Sequence, residues 1–307
     1  MGIRVGNVRV RFTGELKDGF ERGFMSPFSR RYLPDVSELA GPSGKADVVV
    51  ERKASGDFRV VGSCYGDDLD RYTVKSPVPA AYGSEAPVFF LLQAVSRACL
   101  KKGDVIVTDS VGVSTQDGET VLFLGYPHTG KSTISALAMA SGLTVLSTEN
   151  TVLRIADDHL RVVGGTDVLV YDPSVEDLYD VHLPYDETTR SGYRILDLSG
   201  NVKRREALRK GATVDRIVIL HAAFNCRGAS FSRVKGRKTK KVLWQFSTAL
   251  IKGLDYYEPM PLDMPLTGKV KENLMRFLST ASTVYEGRII EAFGGHEEIL
   301  RALIGRQ

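Results

Sequence analysis

The chain has 307 residues, of which 43% are apolar and 25% are charged, a composition typical of a globular protein and too apolar for a disordered one. The longest clear apolar run, residues 86–92, is too short to span a membrane, and the N-terminus has no apolar stretch of signal-peptide length. Three widely spaced cysteines predict reduced thiols in a cytoplasmic protein, and the lack of an apolar span predicts no membrane partner, whereas the net charge of +4 by itself indicates no class of partner.

Residues 1–85 are predicted to form a β-rich N-terminal region. Alternating apolar residues predict three strands, over residues 8–12, 47–51 and 58–61. Residues 26–45 are rich in Pro, Gly and Ser and predict a loop. Residues 76–86 have the composition of a linker, so we place a domain boundary there and assign residues 86–307 to a second domain. The role of the first region is open between substrate entry, oligomer contact and sheet extension.

The second domain begins with a predicted helix, with Ser84 as its N-cap and Gly103 at its end. Three apolar segments then predict strands, over residues 105–107, 111–113 and 120–124. A Gln-Asp-Gly turn at residues 116–118 joins the last two strands as a hairpin. Helices mixed with strands predict an α/β fold for this domain.

The sharpest motif follows the second strand of that hairpin. Residues 125–132, Gly-Tyr-Pro-His-Thr-Gly-Lys-Ser, match G-x-x-x-x-G-K-[ST] at every fixed position. Phosphate oxygens need several backbone N–H donors on a concave turn, which glycines permit, and the next helix adds its positive end. That helix is predicted over 131–141, with Gly142 as its C-cap, before a strand over 143–146. The motif predicts a phosphate loop, called the 125–132 loop below.

This loop predicts a nucleotide triphosphate as ligand. Lys131 supplies a point charge to the β- and γ-phosphates, and the Ser132 hydroxyl is a ligand for Mg²⁺. ATP and Mg²⁺ are therefore the expected cofactors, although the residues do not distinguish ATP from GTP. The candidate nucleotide-binding residues are Gly125, Tyr126, Pro127, His128, Thr129, Gly130, Lys131, Ser132 and Thr133.

An acidic residue stands at the end of the strand that follows the loop helix. Phosphoryl transfer needs a group to hold Mg²⁺ and, for a hydroxyl acceptor, a base. Because α/β sheets place ligand chemistry at the carboxyl ends of strands, Glu149 is the candidate for both roles. Its neighbour Asn150 can orient or ligate but cannot accept a proton. A solvated turn residue is the alternative interpretation of Glu149.

The order of these elements resembles a known family. A hairpin with an Asp-Gly turn, the 125–132 loop, a short helix, a glycine, an apolar strand and a polar-acidic pair follow one another as in the C-terminal kinase domain of HPr kinase/phosphorylase. That group is itself similar to ATP-dependent phosphoenolpyruvate carboxykinases. The resemblance covers roughly residues 88–225, including later strand-like stretches at 193–198 and 214–220. It implies a P-loop kinase core of that type.

Two positions depart from the family pattern. Asp109 stands where the family's hairpin usually opens with His, so the resemblance implies that Asp109 supports the metal or the base. Glu149 and Asn150 stand at the family's paired aspartates, so one carboxylate is kept and the other is an amide. The candidate catalytic residues are Lys131, Glu149, Asp109 and Asn150, and the candidate metal ligands are Ser132 and Glu149. No clear copy of the family's HPr-related signature is present, so HPr is not the predicted substrate.

Two further polar residues at strand-like segments have open interpretations. Asp197 lies inside an apolar run and is either near Mg²⁺ or at a solvent-facing edge. His221 closes an apolar strand over 217–220 and is either ligand-facing or structural.

Positive charge is concentrated in residues 201–241, which hold thirteen Lys and Arg against two acids and leave −7 on the rest of the chain. The densest part, residues 227–241, is predicted to be a loop before a helix over 239–254. It is a solvated loop, a clamp for phosphates, or a nucleic-acid surface, the last with only Phe231 for base stacking. The candidate acceptor-binding residues are Arg190, Arg194, Arg227 and Lys235.

The C-terminal part is predicted to close the core. The expected elements are a helix over 269–282, strands over 283–285 and 288–293, and a helix over 297–304.

The leading hypothesis is a Mg²⁺- and ATP-dependent kinase that transfers the γ-phosphoryl group to a hydroxyl of a small molecule or a protein serine. A nucleotide-binding regulatory protein without phosphotransfer is one alternative, because the second acid is absent. An RNA-linked NTPase that uses the basic segment is another. A homo-oligomer is expected in each case.

Overall fold

The computed structural model describes residues 2–39, 44–252 and 262–304. It is a mixed α/β fold with several sheets, one of which curls into a half-barrel. The chain divides into two compact units: unit 1 is Met1–Ile106 with Ser247–Phe277, and unit 2 is Val107–Phe246 with Leu278–Gln307. The domain boundary expected near residue 85 stays a prediction.

Unit 1 contains the first six strands. The elements of residues 2–107 are β1 (Gly2–Val5), β2 (Val8–Gly14), α1 (Phe20–Gly23), α2 (Pro27–Arg30), β3 (Val36–Glu38), β4 (Val48–Ala54), β5 (Arg59–Tyr65), β6 (Asp70–Ser76), α3 (Ala86–Lys101) and β7 (Asp104–Val107). Strands β1 to β6 form one sheet in the order β3-β1-β2-β4-β6-β5. Three aromatic rings pack together in this unit, with centroids 5.1–5.4 Å apart. Phe12 stacks on Phe24, and Phe20 contacts both of these rings edge to face.

Two expectations for this part need correction. Residues 26–45 were expected to be a loop, but they include α2 and β3, while residues 40–43 lie outside the described residues. The side chain of Ser26 accepts the Ser29 N–H and begins α2, and β3 pairs with β1. Helix α3 has Glu85 as its N-cap rather than Ser84.

The rest of the chain is richer in helices. The elements of residues 110–304 are β8 (Ser110–Ser114), β9 (Thr120–Leu124), α4 (Lys131–Ala140), β10 (Thr144–Ser147), β11 (Thr151–Ala156), β12 (His159–Gly165), β13 (Val168–Tyr171), α5 (Ser174–Tyr179), β14 (Glu187–Thr188), β15 (Arg194–Asp197), α6 (Val202–Lys210), β16 (Ala212–Ala222), β17 (Ala229–Arg233), α7 (Arg237–Lys252), α8 (Gly268–Val284), β18 (Ile289–Gly294) and α9 (His296–Ile304). The two units divide within β7, α7 and α8. Among the described residues, no helix is long and apolar enough to cross a membrane.

Unit 2 is built on a sheet in which β10, β8, β9, β16, β18 and β17 are hydrogen-bonded in that order. Strands β9, β16 and β18 are parallel, whereas β8 is antiparallel to β9. The predicted hairpin is confirmed, because Ser114 pairs with Thr120 across the 116–118 turn. Every residue of β9 is buried, as expected of a parallel strand covered on both faces.

Helices α4 and α9 pack on this sheet and on each other. Their shared core includes Ile134 and Leu137 of α4, Phe123 of β9, Val218 of β16 and Ile299 of α9. This packing fixes the start of α4 against the carboxyl ends of β9 and β16. The 125–132 loop, which joins β9 to α4, is therefore attached to rigid elements at both ends.

Two expectations in the second half were wrong. Residues 227–241 are not one loop, because β17 pairs with β18 and α7 begins at Arg237, while the basic side chains stay exposed. The predicted helix over 239–254 corresponds to α7, and its last two residues lie outside the described residues. The predicted strand over 283–285 is instead the end of α8, which stops at Val284, and the buried Phe277, Ala281 and Tyr285 recur every four residues, as on one face of a helix.

Candidate functional site

The 125–132 loop ends at the start of α4. Gly130 is the N-cap of this helix, with φ 93°, a left-handed conformation that favours glycine, and no side chain caps the helix end. His128 is also left-handed, with φ 65°, and is exposed. An uncapped helix N-terminus keeps its first backbone N–H groups for an external acceptor. The backbone geometry of the loop therefore suits an anion.

Lys131 lies in the first turn of α4 and is 7% exposed. Its ammonium donates to the Asp109 carboxylate at 3.0 Å, to the Gly125 carbonyl at 2.6 Å and to the Tyr126 carbonyl at 3.1 Å. An ammonium has three protons, so these three acceptors occupy all of them. A phosphate that binds Lys131 must therefore compete with Asp109 for the ammonium.

Backbone hydrogen bonds connect three of the predicted site segments. The Gly125 N–H donates to the Asp109 carbonyl at 3.0 Å, and the Ser110 N–H donates to the Glu149 carbonyl at 2.9 Å. The neighbouring residues Asp109 and Ser110 thus connect the two segments, because Asp109 bonds to Gly125 of the loop and Ser110 bonds to Glu149. The structure therefore places Asp109 beside Lys131 and joins the 109–110 turn to the Glu149 backbone, whereas the catalytic roles of these residues stay predictions.

The Glu149 turn is fixed by a residue that the sequence did not indicate. The fully buried Thr166 hydroxyl accepts the N–H groups of Thr148, Glu149 and Asn150 at 3.3, 2.8 and 3.1 Å. Glu149 is half-buried, whereas Asn150 is fully buried. Nothing in the sequence distinguishes Thr166 from other threonines, because its role depends on the pairing of β11 with β12 that places it beside the turn.

A second residue that supports the site comes from the basic part of the sequence. Arg204 of α6 is 2% exposed and donates to the Leu146 carbonyl at 3.0 Å and to the Gly165 carbonyl at 2.7 Å. It therefore joins the end of β10 to the end of β12, on either side of the Glu149 turn. This arginine stabilises the fold and is not available to a ligand.

The candidate metal ligands are compatible with Mg²⁺ carried by a nucleotide. No group of three or more His, Cys, Asp or Glu side chains suited to a metal ion occurs in the part of the chain that the structure describes. Ser132 and Glu149 are both half-buried and offer a hydroxyl and a carboxylate oxygen. Mg²⁺ prefers oxygen ligands and commonly takes one or two from protein, with phosphates and water completing its shell. The donor chemistry fits an ion that arrives with the phosphates.

The four candidate acceptor-binding residues belong to two different sheets. Arg194 lies in β15, pairs with Glu176 and stacks over the Tyr185 ring at 4.5 Å, and the exposed Arg190 precedes it. This pairing holds the pKa of Glu176 below its ordinary value. Exposed Arg227 and Lys235 flank β17 instead. The sheet of β13, β15 and β14 is separate from the sheet that contains β9, and Asp197 belongs to it too. Both interpretations of Asp197, near Mg²⁺ or at a solvent-facing edge, stay predictions.

His221 lies at the carboxyl end of β16, next to Ala222, whose N–H donates to the Thr129 carbonyl at 3.1 Å. Its ring stacks on Phe293 with centroids 4.6 Å apart, and its Nε2 is 3.5 Å from Glu291. Lys238 also pairs with Glu291, at 2.7 Å, and lowers the pKa of that carboxyl. These contacts hold the His221 ring beside the loop, and its two interpretations, ligand-facing or structural, stay predictions.

His296, the first residue of α9, was not predicted to belong to the site. It is 1% exposed, and its Nδ1 is hydrogen-bonded to the Tyr179 hydroxyl at 2.8 Å. Its buried Nε2 has no hydrogen-bond partner among the described residues. A Cβ on Gly130 would clash with this Nε2 atom, so the ring lies directly against the loop. Burial lowers the pKa of His296 from 6.5 to about 4, which keeps the ring neutral at pH 7.

This pKa predicts an acid-dependent loss of stability. In the unfolded chain His296 binds a proton near pH 6.5, whereas in the folded chain it stays neutral until about pH 4. The contribution to stability is therefore complete above pH 6.5 and is lost as the pH falls towards 4, by about 3 kcal/mol. We expect His296→Gln to flatten the pH dependence of the free energy of unfolding over this range, measured by urea denaturation. His159→Gln, at an exposed histidine, is the matched control and should leave the slope unchanged; equal slopes in all three proteins contradict the prediction.

Comparison with known proteins adds no family. No protein-family model matches the chain, and no curated protein matches it. The functional argument therefore depends on the geometry of the site and on the order of its motifs.

Proposed function

We propose that this protein is an ATP- and Mg²⁺-dependent kinase that transfers the γ-phosphoryl group to a hydroxyl of a small molecule or a protein serine. The observation that supports it most is the joined site: an uncapped α4 N-terminus with Lys131 in its first turn, bonded through the 109–110 turn to Glu149. The order of motifs, similar to that of the HPr kinase/phosphorylase C-terminal domain, supports a P-loop core of this type.

The proposed roles follow from the chemistry of each group. The loop N–H groups and Lys131 hold the β- and γ-phosphates, and Ser132 and Glu149 hold the metal. Glu149 also takes the proton of the acceptor hydroxyl as its oxygen bonds to the γ-phosphorus. The bond between that phosphorus and the β–γ bridging oxygen breaks, and ADP leaves. Mg²⁺ supplies charge neutralisation when it is bound with the nucleotide.

A nucleotide-binding regulatory protein is the second candidate. The residue beside Glu149 is the amide Asn150, whereas the family that the chain resembles has a second aspartate there. In addition, the Asp109 carboxylate already pairs with the Lys131 ammonium. An ion pair that a nucleotide must open suits a sensor as well as an enzyme. Phosphotransfer distinguishes the two candidates, because a sensor binds ATP without passing its phosphate to an acceptor.

Substitution of Glu149 tests the proposed reaction. Glutamine keeps the shape of the side chain but cannot accept a proton, so Glu149→Gln should lower phosphotransfer at least about a hundredfold. Affinity for ATP should change far less, since the phosphates bind mainly to the loop. Transfer is measured with γ-labelled ATP and a pool of cell metabolites, and binding by calorimetry with ATP, ADP and GTP. Glu187→Gln, at an exposed glutamate of β14, is the matched control.

The outcomes separate the candidates. Binding of ATP without transfer by the wild-type protein favours the regulatory function. RNA-stimulated hydrolysis with a steep salt dependence favours an RNA-linked NTPase instead. Failure to bind any of the three nucleotides contradicts the kinase and the sensor alike.

A further inference from the structure

Unit 2 contains a cavity of about 400 Å³ that the proposed reaction does not use. The 116–119 turn between β8 and β9, the end of α4 and one face of α9 form its walls. No residue of the 125–132 loop lines it. Its volume lies in the range of about 300–1,000 Å³ typical of small-molecule sites. It is therefore large enough for a ligand with an aromatic or short aliphatic body.

The floor of the cavity is apolar and continuous with the protein core. Leu137 of α4 and Leu300 of α9 are 4% and 5% exposed and belong to the main core cluster of unit 2. Leu143, Val181 and Ile304 also line the cavity and pack partly buried against that cluster. An apolar ligand group that covers these side chains would remove apolar surface from water, which is the main source of affinity in such sites.

The rim of the cavity is acidic. Among the lining residues, Asp117, Glu119 and Glu297 are acids, whereas Arg301 is the one cation. Arg301 pairs with Glu297, and Glu119 pairs with Arg216 at 2.8 Å. Asp117 is exposed and has no ion-pair partner among the described residues. The rim thus has a carboxylate open to an incoming ammonium, and its charge complements a cation.

A short chain of contacts leads from the cavity to the 125–132 loop. Tyr179 lines the cavity, and its hydroxyl is bonded to Nδ1 of His296. The opposite ring atom, Nε2, is buried without a partner against Gly130. Gly130 is the N-cap of α4, whose other end reaches the same cavity at Ser141. A ligand that fixes Tyr179 therefore restricts His296 and, through it, the loop.

We propose that this cavity is a regulatory site for an amphipathic organic cation, an apolar body that carries one ammonium group, and that its occupancy orders the 125–132 loop through Tyr179 and His296. The apolar body lies on Leu137 and Leu300, and the ammonium pairs with Asp117. The effect on nucleotide affinity rests on the proposed function, whereas the binding of the cation does not.

Three matched probes test the chemistry of the site. Phenylbutylamine, phenylbutanol and phenylbutyrate share one apolar body and differ in charge. Calorimetry with the full chain should give an affinity for the amine at least about tenfold above that for the alcohol, and no binding of the acid, because the rim is acidic. Equal affinities for the three probes, or binding of none, would overturn the proposal.

A variant locates the ammonium. Asp117→Asn keeps a residue that tolerates turns but removes the charge, so it should lower affinity for the amine about tenfold and leave the alcohol unaffected. Asp158→Asn removes the same charge from an exposed turn between β11 and β12 and is the matched control. An equal effect of both substitutions would show a general surface attraction and contradict this site.

Hydrogen exchange tests the coupling without any nucleotide. The amine should slow exchange of the backbone amides in the 125–132 loop of the wild-type protein, and Tyr179→Phe, which lacks the hydroxyl bonded to His296, should abolish that protection. Protection that persists in Tyr179→Phe, or that is absent in the wild type when the amine is bound, refutes the coupling.

Nucleotide binding supplies a separate readout. If the loop binds ATP, the amine should tighten ATP binding at least about fivefold, and ATP should tighten amine binding by the same factor. Absence of ATP binding with and without amine refutes the proposed function and leaves the cavity to be decided by the probes and by exchange. ATP and amine that bind independently refute the coupling alone.

Discussion

Replacement of Lys131 with alanine is expected to weaken ATP binding about a hundredfold. The loop N–H groups of α4 would remain, but the charge that bonds the β- and γ-phosphates would be lost, and a charge-assisted hydrogen bond contributes about 1.5–3 kcal/mol. Calorimetry with Mg²⁺-ATP measures the change. Lys252→Ala, which removes an exposed lysine that pairs with Asp263 on the surface, is the control for net charge and should leave the affinity unchanged.

The same substitution has a cost to stability that must be separated from binding. It leaves Asp109, which is 3% exposed, without its ammonium partner, and breaking a buried ion pair costs about 3–5 kcal/mol. The double variant Lys131→Ala with Asp109→Asn also removes the carboxylate charge that Lys131 balances in the wild type. We expect it to recover most of the free energy of unfolding and none of the affinity for ATP. A double variant that binds ATP as the wild type does would contradict the role of Lys131.

The single variant Asp109→Asn distinguishes two possible roles of Asp109 in the site. If it mainly competes with phosphate for Lys131, Asp109→Asn tightens nucleotide binding. If it supports the metal or the base, as the resemblance implies, the same variant loses phosphotransfer. We expect a large change in nucleotide affinity or in phosphotransfer, because the Asp109–Lys131 pair is buried and charges interact more strongly away from bulk water.

The part of the site that could be predicted from the sequence is the part made by neighbours in the chain. The hairpin, the 125–132 loop and α4 follow one another directly, and their glycines and apolar spacing are local signals. Glu149 follows the carboxyl end of the next strand, β10, which is why the sequence indicated it as a candidate, and its role stays a prediction. The strand predicted over 283–285 was wrong for the opposite reason. The β-branched Thr283 and Val284 favour a strand locally, but packing that buries Tyr285 in unit 2 outweighs this local preference.

The residues that support the site come from distant parts of the chain. Thr166, Arg204, Tyr179 and His296 reach the loop or the Glu149 turn only through strand pairing and helix packing. A single sequence carries no sign of such long-range contacts. The buried role of Arg204 illustrates the limit, because its sequence placed it only within the basic stretch 201–241, with no sign of its carbonyl partners.

The basic stretch itself is divided among several roles in the fold. Arg204 bonds backbone carbonyls, Arg216 pairs with Glu119, and Lys238 pairs with Glu291. The exposed cations that remain lie in two groups, one on α6 and the other in residues 227–241. The excess positive charge of residues 201–241 thus has two parts: some cations stabilise the fold by pairing with carboxylates or carbonyls, and the others form an exposed basic surface.

In unit 1, replacement of Asp70 with asparagine is expected to lower the free energy of unfolding by about 3–5 kcal/mol. Asp70 is fully buried at the start of β6, and Nη1 of Arg97 in α3 donates to both of its carboxylate oxygens, at 2.6 and 2.7 Å. Lys101, one turn further along α3, is 3.1 Å from the same carboxylate. Asparagine would leave two buried cations beside a neutral amide. Urea denaturation measures the loss.

The control for this prediction is Asp68→Asn, at an aspartate two residues before Asp70. Asp68 pairs with Lys45 at 2.9 Å, but both side chains are exposed, so Asp68→Asn should cause no measurable change in stability. Adding Arg97→Met to Asp70→Asn removes one of the unpaired cations and should recover part of the loss, because an apolar side chain of similar length replaces a buried charge. Equal effects of the Asp70 and Asp68 substitutions would mean that burial does not govern this pair. The predicted difference arises because the fully buried Asp70 carboxylate joins α3 to the sheet and pairs with both Arg97 and Lys101, whereas the Asp68 carboxylate is exposed to solvent.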